Sequence, residues 1–198
     1  MRPLGVILAG GAARRMGGGD KGLLALGGST VMGQAIARLA PQVDRMALSA
    51  NGDPSRFDLG LPVIPDTEPD RPGPLAGVLA GLDWAAGQGA DRIVTAAADT
   101  PFLPADLVER LTAAADAASA PIALAATAEG DRTVRHPTFG LWPVALREDL
   151  RAALRSGTRK VVLWTDRHGA ATALFPDPGA FFNVNTLEEY EEARARCG

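Results

Sequence analysis

Between Ala9 and Gly22 the chain reads AGGAARRMGGGDKG, a single stretch holding six glycines, two arginines and a lysine. Glycine admits positive φ, so successive backbone N–H groups can be turned toward one anion. Arg14, Arg15 and Lys21 add full positive charges, and the whole stretch suits the wrapping of a polyphosphate. Two common phosphate-binding patterns fail here. Gly17, Gly19 and Gly22 spell G-x-G-x-x-G, but they lie well beyond the preceding apolar run and open no helix. A P-loop needs Ser or Thr directly after Gly-Lys, whereas Lys21 stands between Asp20 and Gly22.

Asp99 closes the apolar run RIVTAAA and precedes Thr100 and Pro101. A strand-end aspartate packs poorly and ligates Mg²⁺ well, with a turn or helix cap as its other use. Asp66 follows a short apolar segment and either faces the same crevice or is an ordinary loop carboxylate. Asn183 and Asn185 alternate with Val184, so in an extended segment both amides point one way. They can offer donors and acceptors to a ligand ring or phosphate, or serve the start of the last helix, which Thr186 could cap alone.

No covalent nucleophile set can be assembled. The only cysteine, Cys197, is nearly terminal, and neither His136 nor His168 has a motif partner. The same scarcity excludes a cysteine- or histidine-based metal cluster, so a metal must rest on carboxylates and substrate, which favours Mg²⁺. A transfer between phosphates needs no protein nucleophile when the acceptor is already anionic. The protein must then position two anions and neutralise the leaving charge.

Apolar runs of strand length alternate with helical periodicity from end to end. Strands are predicted at 4–8, 45–50, 62–65, 92–98, 122–126, 138–142 and 171–175, with a polar turn at 129–132. Helices are predicted at 31–39 (capped by Ser29 or Thr30), 74–86, 104–118, 144–154, 159–166 and 187–196. This alternation predicts a three-layer α/β domain with a mainly parallel sheet, whose ligands bind beyond the strands' carboxyl ends. The 198 residues form one domain, residues 1–198, at the usual ~150 residues per domain. A hydrophobic fraction of 46% is enough for a core without disulfides. A net charge of −3 argues against a mainly electrostatic grip on nucleic acid. No run has the length of a signal or membrane segment, so a soluble, cytoplasmic protein is expected. Only two of the 20 basic residues are lysine, Lys21 and Lys160, and the only asparagines are Asn51, Asn183 and Asn185.

The strand followed by LAGGAARRMGGGDKG resembles the nucleotidyltransferase signature, and nearest to it is the molybdenum cofactor guanylyltransferase family. The resemblance continues through PGPLAG at 72–77, DTPFLP at 99–104, HPT at 136–138 and NVNT at 183–186. It implies a Rossmann-like nucleotidyltransferase fold with a mixed, mainly parallel sheet. It also implies transfer of GMP from GTP to the terminal phosphate of (Mo-)molybdopterin, with Mg²⁺. Carried over residue by residue, Leu8, Ala9, Gly10, Gly11, Lys21, Asn51, Asp66, Gly73 and Asp99 form the nucleotide set. Lys21, Asp99 and Arg15 are catalytic, and Asp99 is the metal ligand. His136, Asn183 and Asn185 fall on the pterin side, His136 being equally readable as a satisfied strand-edge histidine. Trp84, Trp142 and Trp164 read as packing, with Trp142 the one placed to stack on a pterin. Leu-Ala-Gly-Gly at 8–11 is the guanylyl form, where cytidylyl relatives show Leu-Ala-Ala-Gly. Hand-over to cofactor-insertion proteins or apo-molybdoenzymes is implied, with no nucleic acid or membrane partner.

Two departures stand out. Ser49-Ala50-Asn51 replaces Asn-Ala-Asn, so the asparagine contact passes to Asn51, weakens to Ser49, or is lost. The extra glycine in 17–19 replaces an apolar residue. Three other readings compete: a cytidylyltransferase for the same cofactor, a sugar-phosphate nucleotidyltransferase, and a non-catalytic cofactor carrier.

Overall fold

A computed structural model describes residues 2–10, 21–68 and 73–197. The run LGVIL forms β1 (Leu4–Leu8). A hairpin of β2 (Ala25–Leu26) and β3 (Ser29–Thr30) leads into α1 (Val31–Leu39). Two-residue strands carry no periodicity, so this hairpin is invisible to pattern reading. Thr30, not Ser29, caps α1, accepting from the Gly33 amide at 3.0 Å. Then come β4 (Met46–Ser49), β5 (Val63–Ile64), α2 (Pro74–Gly87), β6 (Arg92–Ala97) and α3 (Leu107–Ala118). The second half runs β7 (Ala123–Glu129), β8 (Arg132–Pro143), α4 (Arg147–Arg155), α5 (Val161–Arg167), β9 (Ala171–Phe175) and α6 (Leu187–Cys197).

The main sheet has the order β5-β4-β1-β6-β8-β7-β9. β5, β4, β1 and β6 are parallel, β8 is antiparallel to both β6 and β7, and β9 is parallel to β7. The mixed, mainly parallel sheet is therefore as expected. Side chains alternate between its faces. Ile7 meets α1 and α3 in one buried cluster, while Leu4 and Val6 meet α2, α4 and α5 in another.

α2 lies close on the sheet because glycine stands at its contact points. A Cβ on Gly81 would approach Val6 and Ile93 to 2.9 Å, and one on Gly77 would stand 2.8 Å from Ser49 Oγ. The β7–β8 arm is longer than predicted: its outer residues are exposed and polar, so pairing rests on backbone bonds that leave no apolar signal. The helix predicted from Pro104 begins at Leu107, and the one predicted over 144–154 opens as a 3₁₀ turn.

Trp142 is not available to a ligand, which corrects the stacking expectation. It is fully buried, lies 6.2 Å from Trp164 between ring centres, and donates its indole N–H to Thr95 Oγ1 at 2.9 Å. The Thr95 hydroxyl donates onward to the Thr138 carbonyl at 2.8 Å. Thr95→Val keeps the shape but strands both partners, so it should destabilise the fold by about 2–4 kcal/mol. Urea denaturation reads this directly. An unchanged midpoint would mean that the partners find other bonds.

Candidate active site

Because β5, β4, β1 and β6 are parallel, their carboxyl ends lie along one edge. The chain moves outward from β1 to β4 and β5, then returns to place β6 on the other side of β1. Such a reversal is where open α/β sheets bind ligands. From β5 to β6 is three strand intervals, about 14 Å at ~4.8 Å each.

At the centre, the Ala9 amide donates to the Ser49 carbonyl at 2.9 Å and the Ala98 amide to the Leu8 carbonyl at 3.1 Å. The start of the glycine-rich stretch is thus tied to both neighbours. Gly10 is exposed, with open space where a Cβ would stand. Gly11 and Arg15, with Arg14, lie outside the described residues.

On the β4 side, Asn51 and Asp66 are paired. Asn51 Nδ2 donates to Asp66 Oδ2 at 2.7 Å, and the Asp66 amide donates to Asn51 Oδ1 at 2.9 Å. Arg56 donates to the Asn51 carbonyl at 2.8 Å. Asn51 therefore orients the aspartate, whose remaining lone pairs can accept ligand N–H groups. Ser49, the other possibility for this contact, is buried beneath α2 beside Gly77. Gly73 opens α2 at φ +136°, a conformation that favours glycine.

On the β6 side, Lys21 Nζ donates to the Asn185 carbonyl at 2.5 Å. Its charge acts on both Asp99 and Glu189. Burial pushes the Asp99 carboxyl above the ordinary aspartate value, opposed by its own backbone amide and by Lys21. The Thr100 hydroxyl is 2.6 Å from Asn183 Oδ1 and 3.3 Å from Asp99 Oδ1, so its one proton serves the nearer oxygen. The Val184 amide donates to the Asp99 carbonyl at 2.8 Å, laying NVNT across the strand end.

The start of α6 needs neither asparagine side chain. Glu189 accepts from the Asn185 and Thr186 amides at 2.7 and 2.8 Å, while its own amide donates to Thr186 Oγ1 at 3.2 Å. This is a capping box, built without either asparagine side chain. The amide bonds hold the Glu189 carboxyl below its ordinary value. The Asn183 amide oxygen is engaged by Thr100, and Asn185 serves through its backbone. Glu189 and Thr100 are not singled out by the sequence reading, although the T-x-x-E spacing at 186–189 carries the signal for the first.

His136 reaches the same edge on β8 but is occupied. Its Nε2 lies 2.9 Å from Thr127 Oγ1 and its ring stacks on Phe181 at 4.3 Å. These contacts satisfy one ring nitrogen and one ring face, and burial lowers the pKa of the ring.

Among the described residues no group of three or more His, Cys, Asp or Glu side chains could hold a metal. Asp99 alone nevertheless fits Mg²⁺, which is often held by one carboxylate together with substrate phosphates. No helix among them is long and apolar enough to cross a membrane.

A family profile described as the MobA-like NTP transferase domain matches residues 5–170. A molybdenum cofactor guanylyltransferase of Cereibacter sphaeroides (strain ATCC 17029 / ATH 2.4.9) is 53% identical over 196 residues, covering 98% of this chain and 97% of the relative. One from Bradyrhizobium sp. (strain ORS 278) is 54% identical, covering 96% and 90%. Among solved structures, molybdopterin-guanine dinucleotide biosynthesis protein A from Archaeoglobus fulgidus superposes with a TM-score of 0.73 at 21% identity, covering 98% of both chains. The 2-C-methyl-D-erythritol 4-phosphate cytidylyltransferase of Thermus thermophilus gives 0.71 at 19% identity, covering 100% and 99%. These two show a shared fold.

Proposed function

The chain belongs to the MobA-like NTP transferase family, and from that membership we propose that it transfers GMP from GTP to the terminal phosphate of (Mo-)molybdopterin. An acceptor phosphate oxygen forms a bond to the α-phosphorus in line. The bond from that phosphorus to the bridging oxygen breaks, and its electron pair leaves with pyrophosphate. The products are the guanine dinucleotide cofactor and pyrophosphate. Relatives at 53–54% identity carry the guanylyltransferase name.

The observation that supports this reading is an asparagine-held Asp66 on one side of β1 and, on the other, Asp99 within reach of the Lys21 charge, along one sheet edge. In this reading the Asp66 carboxylate accepts from the adjacent N1–H and N2–H of guanine. Cytosine offers one donor beside an acceptor, and the carboxylate repels the latter. Family resemblance assigns Leu8, Ala9, Gly10, Gly11, Arg15 and Lys21 to the phosphates and Gly73 to the nucleotide. Asp99 is the residue that would hold Mg²⁺, which neutralises charge on the pyrophosphate when bound. The acceptor phosphate is already anionic and calls for no protein base. The acceptor lies on the β8 side, near His136, Asn183 and Asn185.

Pyrophosphate release with Mg²⁺, molybdenum-loaded molybdopterin and one of GTP, CTP or ATP tests the reading. GTP should be preferred by at least about 100-fold in kcat/KM, because a site built to bond N–H groups rejects bases lacking them. Asp66→Asn should lower kcat/KM for GTP by about 10–100-fold and erase most of the preference. Equal turnover of CTP would sink the guanylyl reading in favour of the cytidylyl one. GTP binding without any pyrophosphate release would favour a carrier.

A further inference from the structure

Asp66 has a second support that lies away from the ligand edge. Two residues on, Glu68 turns back toward α4, its side chain only 15% exposed. Arg155 grips it with both Nη2 at 2.8 Å and Nε at 3.0 Å, and Arg151 Nη1 stands 3.7 Å away. Arg151 also bonds Asp83 of α2 at 2.6 Å and Glu148 at 3.1 Å. Arg147 approaches Asp83 at 3.5 Å. The network therefore ties the segment after β5 to a frame made by α2 and α4.

Single exposed ion pairs are worth little, but a two-donor arginine grip inside a partly buried network can hold a geometry. β5 is only two residues long and gives the segment little hold of its own. On the ligand edge, side-chain support for Asp66 comes from Asn51, itself steadied by Arg56.

We propose that Glu68, held by Arg155 and Arg151, is a positioning residue that sets the Asp66 carboxylate for the nucleotide base and so acts on nucleotide specificity. The proposal rests on the reading of Asp66 as the guanine contact. The Glu68 side chain faces α4 through Arg155 and Arg151. It fixes one end of a short strap whose other end is the Asn51–Asp66 pair.

Steady-state kinetics of the full-length protein with GTP and CTP test it, using Glu68→Gln, Arg155→Gln and the double variant. Glu68→Gln should raise KM for GTP about tenfold while kcat stays within twofold and KM for CTP is unchanged, so the GTP preference falls about tenfold. The double variant should be no worse than Glu68→Gln alone, since both remove one interaction. Hydrogen exchange at the Asp66 amide, which donates to Asn51, should quicken in Glu68→Gln without nucleotide present. A GTP preference left intact in Glu68→Gln overturns the proposal, as does a loss shared equally by both nucleotides or an unchanged exchange rate. Asp66→Asn run alongside separates the two levels. If it also leaves the preference intact, the guanine contact itself is misassigned.

Discussion

Replacing Asp99 by alanine should lower kcat for nucleotidyl transfer at least about 10³-fold while leaving the melting temperature unchanged or raised. The two halves of this expectation have one cause. The Asp99 backbone, not its carboxylate, receives the Val184 amide that anchors the NVNT segment. Among the described residues the carboxylate meets its own backbone amide, the Lys21 charge and the Thr100 hydroxyl at 3.3 Å, whose proton serves Asn183. Burial raises its pKa in the folded chain, so the folded state binds a proton more readily than the unfolded one. Stability from this group is then present at low pH and is lost as pH rises from the unfolded aspartate value of 3.8 through the raised folded one. At neutral pH the charged carboxylate opposes folding, and alanine removes that opposition. Pyrophosphate release at saturating GTP, with calorimetry of the same sample, checks both halves. Full turnover by Asp99→Ala would remove this residue from the chemistry. Loss of turnover through unfolding would contradict the structural half.

The legibility of the fold follows the origin of each element's signal. β1, β6 and α1 bury continuous or periodic apolar residues, and all three lie close to where the sequence pattern puts them. The β2–β3 hairpin and the outer β7–β8 arm are held by backbone bonds among polar or very short segments, and hydropathy cannot report such bonds. A proline that suggests a first turn can mislead about a helix start. Pro104 lies three residues before α3, whose N-cap is Asp106.

The candidate residues are legible in the sequence, but their relationships are not. Lys21, Asn51, Asp66 and Asp99 can be named from glycine context, strand ends and family resemblance. Their pairing cannot, because it depends on which strand ends become neighbours. Asn51 reads in sequence as a ligand contact in its own right, yet its amide holds Asp66 through two bonds. Asn183 and Asn185 draw notice through rarity, whereas the residues that organise their segment are Thr100 and Glu189. Trp142 is packing, as the sequence first suggests; the added option of stacking stays open there because aromatic character is visible in sequence and complete burial is not.

Lys21→Ala should reduce kcat/KM for GTP by about 10²–10³-fold, and Lys21→Arg should recover little of the loss. The ammonium stands 2.5 Å from the Asn185 carbonyl, which takes one of its three protons and leaves two for phosphate oxygens. A guanidinium is planar and broader, so with one N–H on Asn185 its remaining donors splay away from a target among glycine amides. The α6 cap is made by Thr186 and Glu189 without Lys21, so neither variant should unfold the C-terminal helix. A third observable follows from charge. Lys21 lowers the pKa of Asp99, so the alanine variant lets that carboxyl rise further. Residual activity that needs ionised Asp99 should then disappear at a higher pH in Lys21→Ala than in the wild type as the medium is acidified. An arginine variant with wild-type turnover would show that charge alone suffices. An unmoved acid limb in the alanine variant would show that the two groups act independently.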